Sequence, residues 1–217
     1  MDPSFLAPTR FIDSDHPDVI AFAKKATEGA TTNEERAKRL FLAVREGLRY
    51  DPYTLSIDPD SFKASHVLTQ KAAYCIPKSV LLAAAARAVG IPARLGFADV
   101  KNHLSSEKLL RVLGTDVFAW HGYVELWIDG EPVKVTPAFN ASLCARFNVP
   151  PLELERRDGR LQEAMLQAFD SEGHRYMEYL RDRGLYTDLP LDEIFATFSS
   201  LYGVTKGLLA DRDEAFH

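Results

Sequence analysis

The stretch Ala73-Tyr-Cys-Ile-Pro-Lys-Ser-Val-Leu-Leu-Ala-Ala-Ala-Ala-Arg-Ala-Val-Gly-Ile-Pro-Ala-Arg94 sets one cysteine at the start of the most strongly helical run of the 217-residue chain. From Cys75 to Val89 almost every residue is a good helix former. Pro77 falls in the first turn, where its missing N–H is tolerated, and Gly90 with Pro92 supplies the stop. Between Val80 and Ala88 the run is apolar on nearly every side, which predicts a helix enclosed by other elements. The residues after it, from Ala93 to Val100, read as a strand.

Further along, Trp120-His-Gly-Tyr-Val-Glu-Leu-Trp-Ile-Asp-Gly-Glu-Pro-Val-Lys-Val-Thr-Pro137 holds two runs of strand character separated by Asp129-Gly130, a strong hairpin signal. A two-residue turn there fixes the register. Ile128 faces Glu131, Glu125 faces Lys134, Val124 faces Val135 and Tyr123 faces Thr136, with the opposite charges of Glu125 and Lys134 supporting the pairing. Alternation then puts Val124, Leu126, Val133 and Val135 on one face, and His121, Tyr123, Glu125 and Thr136 on the other.

Upstream, a short helix is expected from Pro17 to Ala26. Thr32-Asn-Glu-Glu35 resembles a capping box opening a second helix, whose stripe is Ala37, Leu40, Phe41, Val44 and Leu48. The segment from Tyr50 to Asp60 is rich in turn formers and precedes a helical piece ending near Leu68. Past Pro150 the chain is more charged. A loop is expected from Glu153 to Arg160, a turn at Asp170-Ser-Glu-Gly173, a helix from Leu191 to Leu201 and a frayed end from Asp211 to His217.

With 46% hydrophobic and 26% charged residues, the chain fits one globular domain, or one with an appended tail. Its net charge of -5 is spread along the sequence, so neither nucleic acid nor a membrane is the expected partner. The two cysteines, Cys75 and Cys144, show no CxxC or disulfide-scaffold spacing, which points to a reducing compartment. The absence of a signal-like N-terminus makes a cytoplasmic location the expectation.

Cysteine at a helix N-terminus gains thiolate character from unpaired N–H groups and the positive end of the helix dipole. It also needs a base, and His121 at the start of the hairpin is the candidate. A third group must hold the far ring nitrogen, and Thr136 lies on the same face as His121, diagonally adjacent. Taken singly, a buried inert cysteine and a packed histidine are the plainer readings, but the ordered combination is much less frequent by chance. A metal site from Asp99 and His103, with His66, His121 and His174 elsewhere, ranks below it, because no two histidines share helical ligand spacing. No cofactor and no metal are expected. Cys144 is assigned to packing.

Tyr74-Cys75 and the helix ending in Arg-Ala-Val-Gly-Ile-Pro-Ala-Arg94 resemble the cysteine motif of transglutaminase-like proteins. His121-Gly-Tyr-Val-Glu-Leu and the hairpin closing in Val-Thr-Pro137 resemble that family's histidine hairpin. The resemblance implies an α+β, papain-like fold in which a nucleophile helix packs on an antiparallel sheet. The chain is expected to hold a catalytic core at 1–150 and a C-terminal extension of helices and loops at 151–217, packed together as one domain. The resemblance covers Phe62 to Asn140. It further implies that Cys75 attacks a peptide or small amide substrate, with His121 as base. Hydrolysis is favoured over cross-linking because no Asp-x-Asp-x-Asp-Gly calcium loop is evident. Where the family usually has Asp before the hairpin's last proline this chain has Thr136, so Asp99 or Asn140 are alternative orienting groups. The Cys75 N–H, with Gln70 or a tyrosine between Tyr50 and Tyr53, is the expected oxyanion site. The competing readings are a binding module that has lost turnover, motivated by Thr136, and a metal-dependent hydrolase using Asp99, His103 and His121.

Overall fold

A computed structural model describes residues 2–103, 105–166, 172–173 and 176–202. The first half of the turn expected at 170–173, the expected frayed end at 211–217 and His174 lie outside the described residues.

Helices α1 (Pro17–Ala26), α2 (Asn33–Gly47) and α3 (Ala64–Val67) precede α4 (Cys75–Ala88), and a two-residue parallel pair, β1 (Arg49–Tyr50) with β2 (Ala72–Ala73), ties the start of α4 to the end of α2. The Thr32 hydroxyl accepts from the Glu35 N–H at 3.1 Å, while Glu35 turns back to the N–H of Thr31 at 2.7 Å, one residue earlier than a reciprocal box would place it. The predicted stripe of α2 is buried throughout.

Helix α4 is the centre of the molecule, buried from Cys75 to Arg87 and packed by α1, α2, α3 and the main sheet. Gly90 at φ +81° ends it, with Ile91 N–H to Ala86 O at 2.9 Å and Gly90 N–H to Arg87 O at 3.0 Å, the paired bonds of a Schellman stop. Burial on all sides leaves its polar side chains to find internal partners. Arg87 donates to the carbonyls of Ala7, Ala93 and Thr187, which ties the N-terminal segment, the start of the next strand and the segment after Tyr186 to this helix. Lys78, with no exposed surface, donates to Arg45 O at 2.8 Å and Leu48 O at 2.7 Å at the C-terminal end of α2.

Strands β3 (Ala93–Asn102), β4 (Val117–Ile128) and β5 (Glu131–Val135) form an antiparallel sheet against α4, and α5 (Glu107–Leu113) and α6 (Ala141–Arg146) follow β3 and β5. The hairpin has the predicted register, from Ile128 opposite Glu131 to Val124 opposite Val135. Glu125 stands opposite Lys134, yet its carboxylate is taken by Arg94 of β3, at 2.6 Å, and by the Trp127 indole at 3.0 Å. The Lys134 ammonium lies 5.5 Å from the Tyr123 ring centroid instead.

The C-terminal part departs from its expected form of helices and loops. A small hairpin, β6 (Arg156–Arg157) with β7 (Arg160–Leu161), turns at Asp158-Gly159, where both residues have positive φ. Strand β8 (Met177–Tyr186) pairs with β3 and completes the sheet order β5-β4-β3-β8. Helix α7 (Leu191–Tyr202) agrees with expectation to within one residue. Among the described residues no helix is long and apolar enough to cross a membrane.

Candidate active site

Cys75 is the first residue of α4, and β4 runs directly across it. The close approach depends on Gly122, where an added Cβ would stand 3.1 Å from Cys75 O, 3.1 Å from Ser79 Oγ and 3.2 Å from Ile76 Cα. With hydrogen in that place, the backbone N–H of Gly122 acts on the thiol together with those of Ile76 and Cys75, all favouring thiolate. Burial outweighs them. Cys75 is 8% exposed, and its pKa is pushed up from 9.0 to about 11.

His121 precedes Gly122 and is 4% exposed. Strict alternation is interrupted just before it. Trp120 has φ +60°, and the β3–β4 register shifts between Ala98, opposite His121, and Val100, opposite Phe118. The bulge brings Phe118, Ala119, Trp120 and His121, four consecutive residues, to the wall of the cavity that Cys75 also lines. Asp99 holds the bulge by accepting from the Trp120 N–H at 3.1 Å. Arg183 of β8 binds both oxygens of that carboxylate, at 2.5 and 2.8 Å, and lays its guanidinium 4.5 Å from the Trp120 ring centroid. Asp99 therefore supports the backbone ahead of His121 and is not found at the imidazole.

The ring's hydrogen-bond partner is Thr136, with Oγ1 at 3.3 Å from Nε2. The same hydroxyl donates to Gly122 O at 3.0 Å, and since a carbonyl can only accept, the hydroxyl must accept at His121. That assigns the ring proton to Nε2 and leaves Nδ1 bare, the tautomer a base requires. Thr136 supplies no charge, and burial alone lowers the His121 pKa from 6.5 to about 4. Burial thus favours a neutral thiol and a neutral imidazole, against the thiolate character expected from the helix position of Cys75.

The other candidates are spoken for. Asn140 accepts from the Tyr50 N–H at 2.6 Å and donates to Leu48 O at 3.0 Å and to Arg45 O, the same two carbonyls that Lys78 holds, so it fastens the end of α2 and does not orient His121. Gln70 turns to His66, 3.0 Å between Nε2 atoms, and lines a separate polar cleft. Tyr50, from the segment considered for the oxyanion site, does line the Cys75 cavity, and so does Tyr74, which the sequence reading passed over. His103 pairs with Glu178 at 2.8 Å, so Asp99, His103 and His121 are not gathered into a ligand set. Among the described residues no group of three His, Cys, Asp or Glu is placed to hold a metal ion. Cys144 is buried in the core, 2% exposed.

The cavity is roofed by two elements. From the turn-rich segment come Tyr50, Pro52 and Leu55, and from α7 come Phe198 and Tyr202. The Tyr202 hydroxyl accepts from Ala119 N–H at 2.6 Å and donates to Val117 O at 3.1 Å, which latches α7 to β4 two residues short of His121.

Fold and site together define an α+β protein in which a helix-borne cysteine and a strand-borne histidine share one buried cavity. The model of the transglutaminase-like superfamily matches residues 20–137, more than half of the chain, and the chain belongs to that superfamily. No protein of curated function matches the sequence. Among solved structures, the chain is similar to a candidate cysteine protease from Cytophaga hutchinsonii, at 18% identity and a TM-score of 0.45, over 84% of this chain and 53% of that one. It is also similar to a candidate protease from Parabacteroides distasonis, at 16% identity and a TM-score of 0.42, over 60% of this chain and 25% of that one. The chain thus spans about half the length of the first and a quarter of the second.

Proposed function

We propose that the protein is a cysteine-dependent acyl-transfer enzyme that hydrolyses a peptide or small amide bond through a thioester on Cys75. The observation that carries this reading is the shared cavity of Cys75 and His121, with the ring proton assigned to Nε2 by Thr136. In the acylation step the sulfur attacks the carbonyl carbon as its proton passes to His121 Nδ1, and the carbonyl oxygen takes up the electron pair. Return of that electron pair breaks the C–N bond, and the imidazolium gives its proton to the departing amine. Water then adds to the thioester with the same base, and the C–S bond breaks to restore the thiol.

Hydrogen-bond donors for the developing oxyanion are the Cys75 N–H at the start of α4 and side chains of the cavity wall. Because the imidazolium forms in a buried site beside a neutral hydroxyl, it is poorly stabilised, and slow turnover is expected. A cytoplasmic setting would keep both thiols reduced.

The test compares hydrolysis of a mixed pool of fluorogenic peptidyl amides by the protein and by Cys75→Ala and His121→Ala. Loss of activity in both variants, with folding retained, supports the reading; undiminished hydrolysis by Cys75→Ala overturns it. A binding module without turnover is the second reading, supported by the uncharged Thr136 and the closed cavity, and it is favoured if no amide or activated ester acylates Cys75.

A further inference from the structure

The wall of the Cys75 cavity has a chemistry of its own. Not one of its described lining residues is charged, and its bulk is apolar: Leu55, Phe118, Phe139, Leu143, Phe147 and Leu166. Its polar side chains include Asn102, Ser105, Ser106 and His121, and the charged ones collect elsewhere. Arg49, Asp51, His66 and Gln70 line a cleft of about 430 Å³ on the far side of Tyr74, a residue that contributes to both spaces. The chain from 49 to 56 is the partition, with Tyr50, Pro52 and Leu55 on the cavity side and Arg49, Asp51 and Thr54 on the cleft side.

The cavity is small, about 90 Å³. That is the liquid-state share of roughly three water molecules, and below the ~150 Å³ that accepts benzene. It suits a group of about three or four carbon atoms. Three of its residues, Tyr74, Ser105 and Trp120, carry polar atoms without a hydrogen-bond partner among the described residues, but each of those atoms is fully enclosed and presents no surface to the cavity, so the cavity itself meets a ligand with a largely apolar wall.

Granting the acyl-transfer chemistry above, we propose that the substrate is an amide of a small, uncharged aliphatic acid whose carbon chain fills this cavity. An anionic or cationic acyl group would enter without a partner of opposite charge and without water. Each methylene buried should favour binding by roughly fourfold.

The experiment measures acylation of Cys75, by mass, with p-nitrophenyl esters of acetic, isovaleric, phenylacetic, succinic and 6-aminohexanoic acids, each rate divided by that of glutathione with the same ester. Isovalerate should lead acetate by about tenfold or more, and the two charged esters should fall below acetate. In Leu143→Ala, which widens the wall at a half-buried position, preference should move toward phenylacetate. If no ester acylates Cys75 faster than glutathione, the acyl-transfer reading fails and this one with it. If all five are accelerated equally, or if a charged ester leads, the acyl-transfer reading stands and the substrate class proposed here is wrong.

Discussion

Replacing Thr136 by valine removes one hydroxyl and little else, because the two side chains have nearly the same shape. In the parent that hydroxyl joins two groups, accepting from His121 Nε2 at 3.3 Å and donating to Gly122 O at 3.0 Å, in a position with no exposed surface. Without it the Nε2 proton and the Gly122 carbonyl each lose a partner. A neutral hydrogen bond contributes ~1 kcal/mol net, and an orphaned buried group costs ~1–3 kcal/mol, so the variant should lose about 2 kcal/mol of stability. For a chain of this size that is a fall in Tm of roughly 4 to 8 °C.

The effect on chemistry is separable. Loss of one neutral bond of ~1 kcal/mol lets the ring proton move to Nδ1 in a sizeable fraction of molecules, and acylation should slow by roughly five- to tenfold. Complete conversion to the wrong tautomer costs far more, on the order of 10⁴ where asparagine replaces the aspartate of a serine protease triad. The assay is acylation of Cys75 by an activated ester at pH 7, below the melting transition of every variant, with Thr136→Ser as the conservative control. Serine should restore most of the rate. Parental acylation in Thr136→Val, or failure of serine to rescue a slow valine variant, would refute the assignment of Thr136 as the group that sets the tautomer. A loss of a thousandfold or more would show that without the hydroxyl the ring turns almost wholly to the wrong tautomer.

Three further expectations rest on separate features. In Gly122→Ala the new methyl meets backbone atoms at 3.1 to 3.2 Å, so α4 and β4 must part by a few tenths of an ångström, and acylation should drop roughly tenfold to hundredfold by misplacement of the reacting groups; retention of the parental rate would show that the spacing is not critical. Burial lowers the His121 pKa from 6.5 to about 4, so between those values the unfolded chain binds a proton that the folded one does not. Stability is therefore fully present above pH 6.5 and is lost as pH falls toward 4, by ~3 kcal/mol, and denaturant melts of His121→Gln should lack that loss. Lys78 and Asn140 serve the same two carbonyls of Arg45 and Leu48. Each of Lys78→Met and Asn140→Ala should cost ~1–2 kcal/mol, and the double variant should exceed their sum by ~1 kcal/mol in chemical denaturation.

What could be read from the residues was what local pattern controls. Helix α4 announced itself by composition and by its Gly90 stop, and the β4–β5 hairpin by Asp129-Gly130, since helix propensity and turn chemistry act within a few residues. Strand β8 escaped because it shows no apolar alternation: it is an edge strand, with most of its residues exposed or half-buried, and its place is set by pairing with β3 some 80 residues earlier. Its Arg183 binds Asp99, and only that distant contact explains why Asp99 steadies the Trp120 bulge instead of meeting the imidazole. The small β6–β7 hairpin carries a legible signal in Asp158-Gly159, within the stretch where charge alone suggests a loop. At the site, the juxtaposition of His121 and Thr136 followed from register. The neutral state of Cys75 and His121 did not, because it is set by burial, and burial depends on α7 and the 49–56 segment closing over the cavity. Lys78, one turn after Cys75, gave no sign of being enclosed until α2 was seen to end against it.

The most direct test of the central claim is intact-protein and peptide mass analysis after brief exposure to p-nitrophenyl isovalerate at pH 7. The account predicts a single acyl group, on Cys75 and not on Cys144, that decays in water and is absent from Cys75→Ser and strongly slowed in His121→Ala. Acylation of Cys144 at the same rate, or of Cys75 at a rate indifferent to His121→Ala, would contradict it.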